Sequence, residues 1–363
     1  MEVYVPAMRG QMGSRTYYAC LMPLNSIESM FRFKLDERQW EDISPEDREQ
    51  RVLNVARVPT LTDYVLENED DYLFSSITAS YKSEPKFVPS GDSNSIGVLR
   101  LELGDELTIN DGQHRCAAIV EAVKKNPALK AQTISVLLFP WESTARVQQM
   151  FSDLNRHVVK TSKSTDVLFD KRDPVSMATM FALDKVPIFK ELTEKVDTSL
   201  KVKSTKLFTL AALYDANSDL LKAHVTDDVE ENAKRLVTYW TVVARSMVDW
   251  GKVFEGRKAA SELRAESISA HSTVLRALGG LGSELMKDPN WEDRLMALSS
   301  VDWSKKNPDW QDVCIVAHSV VSNRQARSAT KSYIKHRLGM PLTDAELRSI
   351  KKARVELTVV AAE

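Results

Sequence analysis

Strand-forming runs crowd the first 140 residues of this chain and then stop, which calls for two unlike halves. Thr16 to Met22 (TYYACLM), Tyr72 to Ala79, Gly97 to Leu103, Glu106 to Ile109 and Thr133 to Phe139 are apolar, aromatic or β-branched runs of strand length. Helices alternate with them. Ser44-Pro45 reads as a cap and first helical residue, Thr60 to Glu67 carries helical spacing, and Gln113 to Lys125 and Glu142 to Met150 follow strands directly. Lys82 to Ser95, rich in Ser, Pro and Gly, reads as a loop. Beyond Arg172 only helical spacing remains, at Met177–Ala182, Thr205–Tyr214, Val229–Val253, Ser267–Met286, Trp291–Leu298 and Asp309–Val321. The expected fold is therefore α+β: an α/β domain with a mixed sheet over 1–172, then a mainly α-helical domain over 173–363.

Composition narrows the class further. With 363 residues, 43% hydrophobic and 28% charged, the chain buries ample apolar surface, which excludes a disordered or collagen-like protein. Cys20, Cys116 and Cys314 form no CxxC pair, so neither a zinc ribbon nor a disulfide framework is expected, and Cys20 and Cys116 read as core packing. The longest apolar stretch, Ile134 to Trp141, is broken by Ser135 and Pro140 and falls short of the roughly 20 residues a membrane helix needs. A soluble, cytoplasmic protein with no membrane partner is expected. The net charge of −2 leaves nucleic acid open, because basic residues can still be segregated.

The most specific feature is Asp111-Gly112-Gln113-His114-Arg115, where a strand runs straight into a helix. Gly112 can adopt the positive φ a tight strand-to-helix turn demands. The N–H groups of Gln113 to Arg115 then sit at a helix N-terminus, which favours anions, and His114 and Arg115 add donors. Asp111 can cap the turn, hold a metal ion or orient His114. Asn155 and Arg156, in the Phe151-Ser152-Asp153-Leu154-Asn155-Arg156 segment, are expected in a loop after a helix, aimed at the same pocket. Gly279-Gly280-Leu281-Gly282 lacks a following Lys and a preceding strand, so it reads as close helix packing rather than a phosphate loop.

Basic residues cluster twice. From Val313 to Thr343 there is no acidic residue, and Arg324, Arg327, Lys331 and Lys335 share one face of a helix, with Arg337 at its end. A cationic face without anions suits a phosphate backbone. Lys201, Lys203 and Lys206 form a second cluster.

The strand–DGQHR–helix unit resembles the DGQHR-domain family, and the surroundings are similar to its DndB branch, the regulators of DNA phosphorothioate modification. TYYACLM, RVPTLTDYV (57–65), FSSITAS (74–80), the segment 151–174 and RLGMPLT (337–343) carry that resemblance. The core is also similar to the ParB and sulfiredoxin superfamily, in which such a turn holds nucleotide phosphates. Gln113 stands where sulfiredoxins place a reactive Cys, so their chemistry is not implied. The resemblance implies ATP, with Mg²⁺, bound by Asp111, Gly112, Gln113, His114, Arg115, Asn155 and Arg156, with Asp111 and His114 as candidates for slow hydrolysis.

The function expected is a transcriptional repressor of a DNA phosphorothioation cluster that binds double-stranded promoter DNA under the control of ATP. A symmetric operator would call for a homo-oligomer. A ParB-like nuclease or nucleotide hydrolase, with Asp111, Glu142 or Asp153 holding a metal, remains open. So does a scaffold for modification-complex proteins built on the acidic runs at 67–71 and 226–231.

Overall fold

The computed structural model describes residues 2–32, 53–102, 107–156, 161–222, 225–311, 313–317 and 319–352. The chain divides into two compact units, Met1–Val159 and Lys160–Glu363. The expected helix at Ser44-Pro45 lies outside the described residues.

The first unit runs β1 (Glu2–Met12), β2 (Arg15–Pro23), α1 (Ile27–Met30), β3 (Phe31–Arg32), α2 (Val58–Glu67), β4 (Ile77–Tyr81), β5 (Lys86–Ser90), β6 (Ser93–Glu102), β7 (Leu107–Asp111), α3 (Gln113–Lys125), β8 (Thr133–Pro140) and α4 (Thr144–Arg156). The eight strands form one sheet in the order β3-β7-β4-β8-β2-β1-β6-β5. Its pairs β3–β7 and β4–β8 are parallel and the others antiparallel, so the sheet is mixed. The two-residue period of β8 explains its two faces. Ile134, Val136 and Leu138 join the core with Cys116, Ile119 and Val123 of α3, while Phe139 packs with Val147 and Met150 of α4.

Two expectations change here. Lys82 to Ser95 is not a loop, because β5 pairs antiparallel with β6 across it. Pro89 is tolerated because β5 is the edge strand, so its outer side needs no ladder donor. The strand expected at Tyr72 begins only at Ile77, after aromatic side chains that pack together, Tyr72 on Phe74 and Tyr64 on Phe74.

The second unit holds α5 (Lys163–Phe169), α6 (Pro174–Lys185), α7 (Pro187–Leu192), β9 (Thr193–Glu194), β10 (Phe208–Thr209), α8 (Leu210–Leu221), α9 (Val229–Ser246), α10 (Val248–Phe254), α11 (Ala260–Glu266), α12 (Ser272–Leu285), α13 (Trp291–Met296), β11 (Ile315–Val316), β12 (Ser319–Val320), α14 (Arg324–Arg337) and α15 (Asp344–Lys352). Its core gathers Phe189, Phe208, Trp240 and Trp250 edge to face. Aromatic burial of this kind contributes beyond area alone. The buried Trp240 indole donates to Asn217 Oδ1 at 2.6 Å, so the ring's polar atom is satisfied.

Four helical expectations need revision. The helix expected from Ser267 starts at Ser272, because Ser267 bridges to Ser304 and His271 caps the helix. The helix expected from Thr205 starts at Leu210, because Phe208–Thr209 pairs with Thr193–Glu194 and Thr209 caps the helix by accepting from the Ala212 N–H. The span from Val229 to Val253 is two helices, broken at Met247 where ψ is 76°. Asp309 to Val321 is not a helix. Trp310 is buried there against Trp303, and a two-strand hairpin follows, so tertiary packing overrides local spacing. No helix among the described residues is long and apolar enough to cross a membrane.

The glycine run at 279–282 lies inside α12 and serves packing, as its sequence context suggests. A Cβ on Gly279 would collide with the Ala216 carbonyl of α8, whereas one on Gly280 would meet only Lys331 Cδ, at 3.6 Å. Gly279→Ala is therefore expected to destabilise the protein by about 1–3 kcal/mol through overpacking. Gly280→Ala is expected to be neutral or to stabilise by up to about 1 kcal/mol from helix propensity. Urea denaturation of the two variants distinguishes them.

Candidate functional site

β7 ends at Asp111, and α3 starts at Gln113, with only Gly112 between them. Gly112 makes this possible, with φ 111° and ψ 12°, and no side chain caps the helix. A Cβ at this position would meet Arg115 Nη2 at 3.1 Å and Ile77 Cγ1 at 3.2 Å. Both its conformation and its surroundings therefore select glycine.

Arg115 folds back over the turn. Its Nη2 donates to Asp111 Oδ2 at 2.5 Å, and its Nη1 donates to the Ser75 carbonyl at 3.0 Å and to the Ser75 hydroxyl. The Arg115 side chain is only 15% exposed, against 41% for Asp111, so the open end of the pair is the carboxylate. His114 Nε2 accepts from the Asn54 backbone N–H at 3.1 Å. That bond needs an unprotonated Nε2, with the ring proton on Nδ1. The structure thus brings Asp111, Gly112, Gln113, His114 and Arg115 together at one strand–helix junction. Ser75 and Asn54 complete the turn, and nothing in their local sequence marks them.

The Phe151-Ser152-Asp153-Leu154-Asn155-Arg156 segment is not a loop. It is the last part of α4, whose amphipathic pattern continues to Arg156. Arg156 is exposed, and His157 to Lys160 lie outside the described residues. Asp153 accepts from Gln149 Nε2 at 2.6 Å. Glu142 is bonded to Arg15 Nε at 2.5 Å, and that guanidinium holds its carboxyl below the usual range. The three carboxylates considered for a metal therefore each answer to a different partner.

The basic helix exists as α14, but its face is not free of anions. Lys331 is paired with Glu284 of α12. Lys335 is buried between Glu284 at 3.2 Å and Glu346 of α15 at 3.0 Å. Burial opposes charge on Lys335, and the hydrogen bonds it donates to the two glutamates more than offset this, raising its pKa. Arg324 and Arg337 remain exposed and Arg327 half-buried. In the second cluster Lys201 and Lys203 are exposed, and Lys206 Nζ donates to the Glu191 carbonyl at 2.6 Å. Arg264 shapes this segment by donating to the carbonyls of Lys201, Val202, Ser204 and Lys206. Sequence spacing gives no hint of Arg264, which lies some sixty residues away in α11.

All three cysteines are buried. Loss of solvation pushes the Cys20 and Cys116 thiols up to about 12 and Cys314 to about 11. Buried, protonated thiols are poor nucleophiles. A disulfide reagent is expected to leave the native chain essentially unmodified and to titrate three thiols after denaturation. A fast native equivalent would contradict this burial. Replacing Arg264 by Ala is expected to cost about 2 kcal/mol, since hydrogen bonds from a charged group disappear. Lys at that position should not rescue it, because one ammonium lacks the planar fork. Thermal denaturation reads out both variants.

Neither the comparison with curated proteins nor that with solved structures returns a match. The family described as DndB, DNA-sulfur modification-associated, matches residues 5–341, which span both units and include the DGQHR turn, the 151–174 segment and the basic helix. With nearly its whole length matched, the chain belongs to the DndB family of DNA-sulfur modification-associated proteins.

Proposed function

We propose that the chain is a DNA-binding repressor of a DNA phosphorothioation gene cluster, and that ATP bound at the DGQHR turn sets its affinity for promoter DNA. Family membership over residues 5–341 carries this reading. It is supported by the chemistry of the turn. A phosphate arriving at the α3 N-terminus meets the helix dipole and competes with the Asp111 carboxylate for the Arg115 guanidinium. Such competition makes the turn a two-position device: Arg115 holds either its own aspartate or a ligand oxygen. Mg²⁺ would be held by Asp111 once it is released, and would screen the phosphates. Slow hydrolysis, with Asp111 and His114 as its candidate residues, belongs to the same reading.

On the DNA side, Arg324, Arg327 and Arg337 of α14, with Lys201 and Lys203, supply phosphate contacts. Lys331, Lys335 and Lys206 already hold protein partners and contribute less. Modification-complex proteins and a second copy of the chain are further partners under this reading. Coupling between the sites is reciprocal: if ATP weakens DNA binding, DNA weakens ATP binding by the same factor.

The deciding experiment is binding of the purified chain to its own upstream promoter and to a scrambled duplex, each with and without Mg-ATP. Selective binding that shifts with ATP is expected, and unselective binding with DNA cleavage would replace this reading by a nuclease. Arg115→Ala is expected to abolish the ATP response and, by freeing Asp111 and Ser75, to lower the melting temperature by several degrees while the chain stays folded. Arg324→Glu with Arg327→Glu is expected to lower the log–log salt slope by about 0.9 for each phosphate no longer neutralised. An unchanged slope places the DNA face elsewhere.

A further inference from the structure

The face of the sheet that carries Thr78, Phe139 and α4 holds a cleft of about 320 Å³ inside the first unit. Its apolar lining includes Phe139, Met150 and Leu154. Its polar lining includes Arg146 and Asp153 of α4 and Thr78 of β4. Three observations point to a ligand there. Arg146 Nε is buried without a hydrogen-bond partner, a deficit that a structure seldom bears without compensation. Asn110, 3% exposed, touches Met150 of the lining: its Nδ2 lies 3.9 Å from the sulfur, while its Oδ1 is likewise buried and unpartnered. Thr78 is the cross-strand partner of Asp111, so the cleft begins one strand away, about 5 Å, from the DGQHR turn.

An apolar slot of this size, walled by the Arg146 guanidinium with its unmet Nε and by the Asp153 carboxylate, suits a flat heteroaromatic ring with an acceptor nitrogen and an amino group. Guanidinium and carboxylate edges read those groups, and apolar side chains cover the ring faces. Arg15 also lines the cleft, but Glu142 already neutralises it, so the site is not built chiefly for a second anion.

We infer that the α4 cleft is the nucleobase subsite of the nucleotide: the ring lies against Met150, Leu154 and Phe139, and Arg146 Nε donates to a ring acceptor. The phosphates lie at the DGQHR end beside Thr78. This rests on the nucleotide reading above and adds the specificity-determining half of the site, with the 151–156 segment as its wall rather than a phosphate loop.

The test is calorimetric titration of the full chain with ATP, adenosine and inorganic tripolyphosphate. The variants are Leu154→Trp, which fills the cleft from a 41% exposed position, and Arg146→Met, which removes the donor while keeping the stem. Both are expected to weaken ATP and adenosine about tenfold or more, the worth of one charge-assisted hydrogen bond or of the packing around the ring, and to leave tripolyphosphate binding unchanged. If both variants bind ATP like the wild type while Arg115→Ala does not, the base lies elsewhere; the inference falls and the nucleotide reading stands. If the wild type binds neither ATP nor adenosine, the nucleotide reading fails and takes the inference with it. Using two variants, each checked by its melting curve, separates failure to bind from failure to fold.

Discussion

The ion pair between Asp111 and Arg115 closes the turn between β7 and α3, and it does so across a residue that must be glycine. A strand and a helix that meet with one residue between them need a left-handed backbone, and the space beside Gly112 is already taken by Ile77 and by Arg115 itself. The guanidinium then ties the turn to Ser75, at the approach to β4. One side chain thus fastens the β7–α3 junction to the start of the neighbouring strand. Any ligand that engages Arg115 acts on that fastening.

In the second unit the same job falls to different chemistry. Arg264 collects carbonyls that no regular element can pair, which lets residues 201–206 run as irregular chain beside the helices. Gly279 lets α12 approach the α8 backbone more closely than any side chain allows. Both are solutions to backbone problems, and both are invisible to a count of charges or apolar residues.

The mixed sheet, the change to helices and the DGQHR junction are legible in the sequence because period, propensity and turn chemistry agree there. Gln113 to Lys125 is a helix from the first residue expected to the last. Legibility fails where partners come from far along the chain. β5 carries Pro89 and reads as loop until β6 pairs with it. Trp310 sits in a stretch with helical spacing but finds its place against Trp303 and Tyr333. The basic helix reads correctly as a helix and incompletely as a surface, since Glu284 and Glu346 lie on other elements. Arg146 is inconspicuous in sequence, because a buried unmet donor is a property of packing alone.

Lys335 joins three helices through two glutamates, and this shared arrangement makes the charge of α14 a function of neighbours that carry none of its basic residues. Without Glu346 of α15, Lys335 would keep one of its two glutamates; without Glu284 of α12, it would keep the other while Lys331 lost the carboxylate it is paired with. The charge that α14 presents is therefore set by the glutamates of its neighbours as well as by its own basic residues.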